Sequence, residues 1–189
     1  FWMEGGTNST TANQRYLNQR GWMGGVSHSA AIFLATGNHE NEEGWNFDDT
    51  NSKALLSVNA RKRYYPNPIT DGFYSGNDEE LAAINGDHLR ENYYAWEWGD
   101  ALFVVIDPYH YTIENPYSVA GGEDNDEGPG SGDRWDWSLG RQQFDWLKHT
   151  LEYSHAKFKF VFAHHILGGA EDYVRGGAKF AHMFEWGGY

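Results

Sequence analysis

Apolar residues along this chain gather into short runs, and the period within each run predicts an element. Residues 10–20 are polar but helix-compatible and open on good capping residues, so they predict a helix. The run Ala-Ile-Phe-Leu-Ala-Thr at 31–36, ended by Gly37, predicts a short buried strand. A second helix is expected within 50–65, stopped by Pro66 and Pro68, and a third within 78–92 despite Gly86. Over 93–107 two strand-like runs flank Gly99-Asp100, which predicts a β-hairpin with one strongly buried strand. Phe144, Leu147 and Leu151 recur at helical spacing, so 139–153 predicts a helix, and 157–163 predicts the strand that follows it. Helix followed by strand suggests an αβ unit. Between these blocks, residues 121–133 form a Gly-rich acidic stretch that lacks the apolar content to pack and is expected as an exposed loop. No internal repeat or sustained heptad is present.

Composition narrows this picture. A chain of 189 residues is expected to form a single domain, residues 1–189, large enough for its own core. Aromatics make up 17% and tryptophans number nine, which implies a core or cleft built largely from rings. The formal charge of -13 repels a nucleic-acid backbone, so a small or locally clamped substrate fits better. No cysteine occurs, which removes disulfides, thiolate metal sites and a thiol nucleophile together. Any metal must therefore sit on histidine, carboxylate or amide oxygen. No apolar run approaches a membrane span, and a cysteine-free, aromatic-rich chain is compatible with an extracytoplasmic or secreted location.

Two places set metal-capable residues directly after an expected strand: Gly37-Asn38-His39-Glu40 and His164-His165. Strand ends are where α/β sheets place their sites. Glycine permits a sharp exit, Asn38 offers a neutral amide oxygen, and His39 a nitrogen that ligates or shuttles a proton. The first block resembles the GNH[DE] motif of calcineurin-like metallophosphoesterases, the family that includes purple acid phosphatases. Val161-Phe162-Ala163-His164-His165 resembles that family's later strand ending in a ligand histidine. Trp137-Ser-Leu-Gly-Arg-Gln-Gln-Phe-Asp-Trp-Leu resembles the helix before it.

The resemblance implies an α/β fold, an incomplete four-layer α/β/β/α sandwich with mixed sheets, in which the two motif-bearing strands lie side by side. It implies hydrolysis of phosphate esters, mono- or diesters, by a metal-activated hydroxide. Asn38 and His164 would hold one of two iron, zinc or manganese ions, leaving half a site evident here. His39 would stand over the phosphate as the catalytic group. Glu40 and His165 would support the ligands, and Arg175 could reach a phosphate oxygen. The family's opening Asp-x-His, its Gly-Asp block, its later Asp or Asn and its closing Gly-His-x-His do not appear, and His182 in Ala-His-Met does not match the last. Truncation is the expected explanation for all of these, and an incomplete domain with open strand edges is expected to find a partner chain, as in a homo-oligomer.

Other readings stay open at this point. An inactive family fragment would fold without turnover. A carbohydrate-binding module would use Trp96, Trp98, Trp135, Trp137 and Trp186 as a stacking platform, although such rings are more often core. Residues 123–127 are read as a solvated loop, because their acidic spacing does not match an EF-hand calcium loop. His28, His88, His110, His149, His155 and His182 are read as surface or structural residues.

Overall fold

The computed structural model describes residues 8–37, 40, 47, 49–108, 110–112 and 137–164. The chain is α/β, with three helices and six strands among the described residues. Its first helix, α1 (Ser9–Ser27), starts on a reciprocal cap: Thr11 N–H donates to Asn8 Oδ1 at 3.0 Å, and Asn8 N–H donates to Thr11 Oγ1 at 3.2 Å. The helix α2 (Lys53–Tyr64) is capped by Ser52, which accepts from Leu55 N–H at 3.2 Å, and ends just before Pro66. Ala12 and Ala60 let α1 and α2 approach closely, and Tyr16 fills the seam with its hydroxyl 2.7 Å from Ser57 Oγ.

The strands β1 (Ser75–Gly76), β2 (Tyr94–Trp98), β3 (Ala101–Val105) and β6 (Phe158–Phe162) form one sheet in the order β1-β2-β3-β6. The first two pairings are antiparallel and β3 pairs with β6 in parallel, so the sheet is mixed. Gly99, with φ +59, makes the β2–β3 turn. Tyr111–Thr112 (β4) and Trp137–Ser138 (β5) form a separate antiparallel ribbon. The helix α3 (Gly140–Tyr153) links β3 to β6 and lays Phe144, Leu147 and Leu151 on Ala95, Leu102, Val104 and Ile106. The helical spacing of those three residues in the sequence is therefore the core-facing stripe itself.

The opposite face of the sheet carries a row of rings. Register sets Trp96 beside Phe103 and Phe103 beside Phe160, with centroids 5.1 and 5.6 Å apart, and Phe33 stacks on Trp96 at 4.1 Å. Trp96 is thus engaged in packing. Trp98 is exposed, and Trp135 and Trp186 lie outside the described residues.

Two expectations fail for physical reasons. Residues 31–37 form no helix and join no ladder among the described residues, so the motif-bearing segments are not paired as neighbouring strands. The aromatic side chains of β2 hold this segment instead: Tyr94 donates its hydroxyl to Leu34 O at 2.8 Å, and Phe33 takes the face of Trp96. Residues 78–92 form no helix. His88 and Glu91 sit at φ +66 and +54, left-handed values a helix interior excludes. Turn and bridge bonds such as Leu81 N–H to His88 O replace the helical ladder, and polar side chains take further N–H groups, with Asn77 Oδ1 accepting from Glu79 N–H, Asn59 Oδ1 from Asn85 N–H and Asp87 Oδ1 from Leu89 N–H. The Gly-rich 121–133 stretch lies outside the described residues.

Candidate functional site

The 31–37 segment and the residues just past β6 meet at Gly37 and His164. Gly37 N–H donates to Glu40 Oε2 at 2.8 Å, and Glu40 N–H returns a bond to Gly37 O at 3.1 Å. This closed turn pulls the Glu40 carboxyl inward, where the residue is buried. The imidazole of His164, two residues past β6, lies against the same turn. A Cβ placed on Gly37 would fall 2.7 Å from Glu40 Oε2 and 2.8 Å from both Cδ2 and Nε2 of His164. Only glycine leaves that space open, so the carboxylate and the ring edge converge on one point because residue 37 has no side chain.

Beside this convergence lies a cavity of about 270 Å³ between α1, the 32–36 segment and α2. Met23, Ile32 and Leu34 give it apolar walls, and Thr36, Arg61 and His164 bring polar groups. Arg61 is buried at the end of α2 and donates to Glu91 O at 2.8 Å and Arg90 O at 2.5 Å. Thr36 is 3% exposed, and its Oγ1 has no hydrogen-bond partner among the described residues.

Of the residues singled out in the sequence, Glu40 and His164 are thus brought together. Asn38, His39, His165 and Arg175 lie outside the described residues. An imidazole and a carboxylate are donors that first-row metals accept, so the pair suits part of a coordination shell. No group of three or more His, Cys, Asp or Glu able to hold a metal occurs among the described residues.

A second polar cluster, which the motifs did not flag, sits beyond the end of β3. Asp107 and Asn92 are both buried, with Asn92 Nδ2 donating to Asp107 Oδ2 at 2.6 Å. Asn92 Nδ2 also lies 2.9 Å from His110 Nδ1, which makes that nitrogen the acceptor and leaves Nε2 to carry the proton toward Glu79 Oε2 at 3.5 Å. Arg90 faces Asp107 at 3.6 Å and donates to His110 O. Burial pushes the His110 imidazole below its ordinary range, so the ring is held neutral. The bond from that ring lowers the Glu79 carboxyl. The signal in the sequence was Asp107 itself, a carboxylate closing the apolar run Leu-Phe-Val-Val-Ile. Parallel pairing carries it to the same end of the sheet as His164, since Ile106 N–H donates to Phe162 O at 3.0 Å.

No helix among the described residues is long and apolar enough to cross a membrane. Comparison with family models, with curated proteins and with solved structures finds no significant match to this chain.

Proposed function

We propose that the chain carries part of a metallophosphoesterase site and that its activity is metal-dependent hydrolysis of phosphate esters. The observation that supports this most is the meeting of the Gly37–Glu40 turn with His164, two segments separated by more than a hundred residues. In this reading Asn38 and His164 hold one metal ion, which when bound lowers the pKa of its water and offsets charge on the phosphoryl oxygens. His39 stands over the phosphate as proton donor to the leaving oxygen. Glu40 ties its carboxyl to Gly37 N–H, and the side-chain-free Gly37 lets His164 approach. His165 supports the ligand histidine, and Arg175 binds a phosphate oxygen.

The finer fold in this reading is an incomplete four-layer sandwich. The described sheet with α3 supplies one β layer and one α layer, and the ring face of the sheet is the side turned toward the second β layer.

The test is elemental analysis of protein purified without chelator, together with nitrophenol release from its phosphate mono- and diesters. Wild type should retain iron, zinc or manganese and turn over at least one ester. His164→Ala should lose the metal and about 100-fold or more in rate. Metal-free wild type that hydrolyses neither ester would refute the reading and leave a folded, inactive domain.

A further inference from the structure

We infer that Asn85 is a site of spontaneous covalent modification: its side-chain amide nitrogen is lost through succinimide formation with Gly86, leaving aspartate or isoaspartate in the turn at 80–89. The inference does not depend on the phosphoesterase reading.

The sequence meets the first condition. Asn85 is the only asparagine in the chain followed by glycine. The attacking atom in this reaction is the backbone nitrogen of the following residue, which a side chain on that residue would screen and glycine leaves open. A Cβ built on Gly86 would meet no atom within 4 Å, and both residues are exposed.

The local hydrogen bonds meet the second. A bridge between Glu80 and Leu89 closes the turn; Leu81 N–H donates to His88 O at 2.8 Å, and Asn85 N–H donates to Asn59 Oδ1 at 2.8 Å. Between these anchors, neither the Asn85 side chain nor Gly86 N–H has a hydrogen-bond partner among the described residues. Electrophile and nucleophile are thus adjacent, wet and unengaged. Hydroxide removes the Gly86 amide proton, and the nitrogen attacks Asn85 Cγ. A C–N bond forms, the Cγ–Nδ2 bond breaks, and the departing nitrogen takes a proton from water to leave as ammonia. Water then opens the ring at either carbonyl. Both products set a new carboxylate two residues from Asp87, which already pairs with Lys62.

Asp71-Gly72 is an internal control, since it is the chain's only Asp-Gly pair and could close the same ring. Its Oδ1 accepts from Tyr74 N–H at 2.8 Å and Phe73 N–H at 2.9 Å. Those bonds hold the Asp71 carboxyl below its ordinary range and so ionised, the form that resists attack at Cγ. The fold therefore shields Asp71 and leaves Asn85 open.

The test is incubation of the full chain at mildly alkaline pH, with and without urea enough to unfold it. Peptide mapping by mass spectrometry locates deamidation, and enzymatic methyl transfer to the isoaspartyl carboxyl reads isoaspartate. In the folded protein Asn85 should deamidate at least tenfold faster than any other asparagine, at a rate that rises with hydroxide, and Asn85→Gln should lose the methyl-accepting group. Isoaspartate at Asp71 should form in urea and lag in the folded chain. Asn85 that stays intact in the folded chain and deamidates in urea would show that the turn protects it, which overturns the inference. Another asparagine leading in the folded chain would overturn it equally, and isoaspartate at Asp71 forming as fast folded as unfolded would overturn the contrast between the two sites.

Discussion

The three atoms nearest a methyl group at position 37 would all belong to side chains: Glu40 Oε2 at 2.7 Å and Cδ2 and Nε2 of the His164 ring at 2.8 Å. Side-chain ends give way more readily than backbone does. His164 is exposed, whereas Glu40 is buried and bonded to Gly37 N–H. Gly37→Ala should therefore displace the imidazole at a folding cost of about 1 kcal/mol, the order of one off-rotamer side chain. Metal retention and ester turnover should fall more than tenfold. Urea denaturation run alongside metal analysis separates the two effects, and a variant that keeps full metal and activity would show that the convergence is incidental. Residue types alone made part of this site legible. Gly37, Glu40 and His164 stood out because each follows an apolar run. Thr36, Arg61 and Met23 did not, since their place in the cavity depends on how α1 and α2 pack over the 32–36 segment.

Elements whose period matched their burial were the ones legible in advance. The 93–107 hairpin appears as expected because two strand-like runs flank the Gly99 turn, and the helix over 139–153 because its Phe144-Leu147-Leu151 stripe packs on the sheet. The strand expected at 31–36 failed because a ladder needs a partner, and a run of apolar residues says nothing about whether one is present. Where a helix was expected at 78–92, Asn and Asp side chains and turn bonds share the backbone N–H groups, and two left-handed residues break the helical path. How α3 is anchored was also invisible in the sequence, because it turns on one polar residue in an otherwise apolar interface. Gln143 is fully buried; its Oε1 accepts from Asp107 N–H and its Nε2 donates to Asp107 O, both at 2.9 Å. The side chain thus stands in for a neighbouring strand at the end of β3. Gln143→Ala leaves a buried donor and a buried acceptor at Asp107 and should cost about 2–4 kcal/mol. The expected observation is a lower urea midpoint with an unchanged denaturant slope, and a midpoint equal to wild type would mean that water replaces both bonds.

For the molecule as a whole, two electrostatic effects oppose each other as pH falls from 7. The formal charge of -13 shrinks toward the isoelectric point near 5.0, which relieves repulsion among the acidic groups and favours the compact state. His110 acts the other way. Its ring is buried against Tyr93, with Glu79, Asp107 and Arg90 as its charged neighbours, and burial holds its folded-state pKa below the unfolded value of about 6.5. The unfolded chain therefore binds this proton more readily than the folded one. The stability associated with neutral His110 is present above about pH 6.5 and is lost as pH falls below it toward the lower folded-state value. Protonation would also end the acceptance of the Asn92 amide at Nδ1, which loosens the contact between Asn92 and the end of β3. Salt decides between the two effects: at about 0.15 M the Debye length is about 8 Å, so repulsion between distant surface charges is largely screened while a buried ring is not. In that salt the urea midpoint of wild type should fall between pH 7 and pH 5.5. His110→Gln keeps an oxygen that can accept from Asn92 and cannot titrate, so its midpoint should stay level or rise over the same interval. Equal slopes in the two proteins would place the acid sensitivity elsewhere, and a wild-type midpoint that rises on acidification would show that surface repulsion outweighs the buried imidazole.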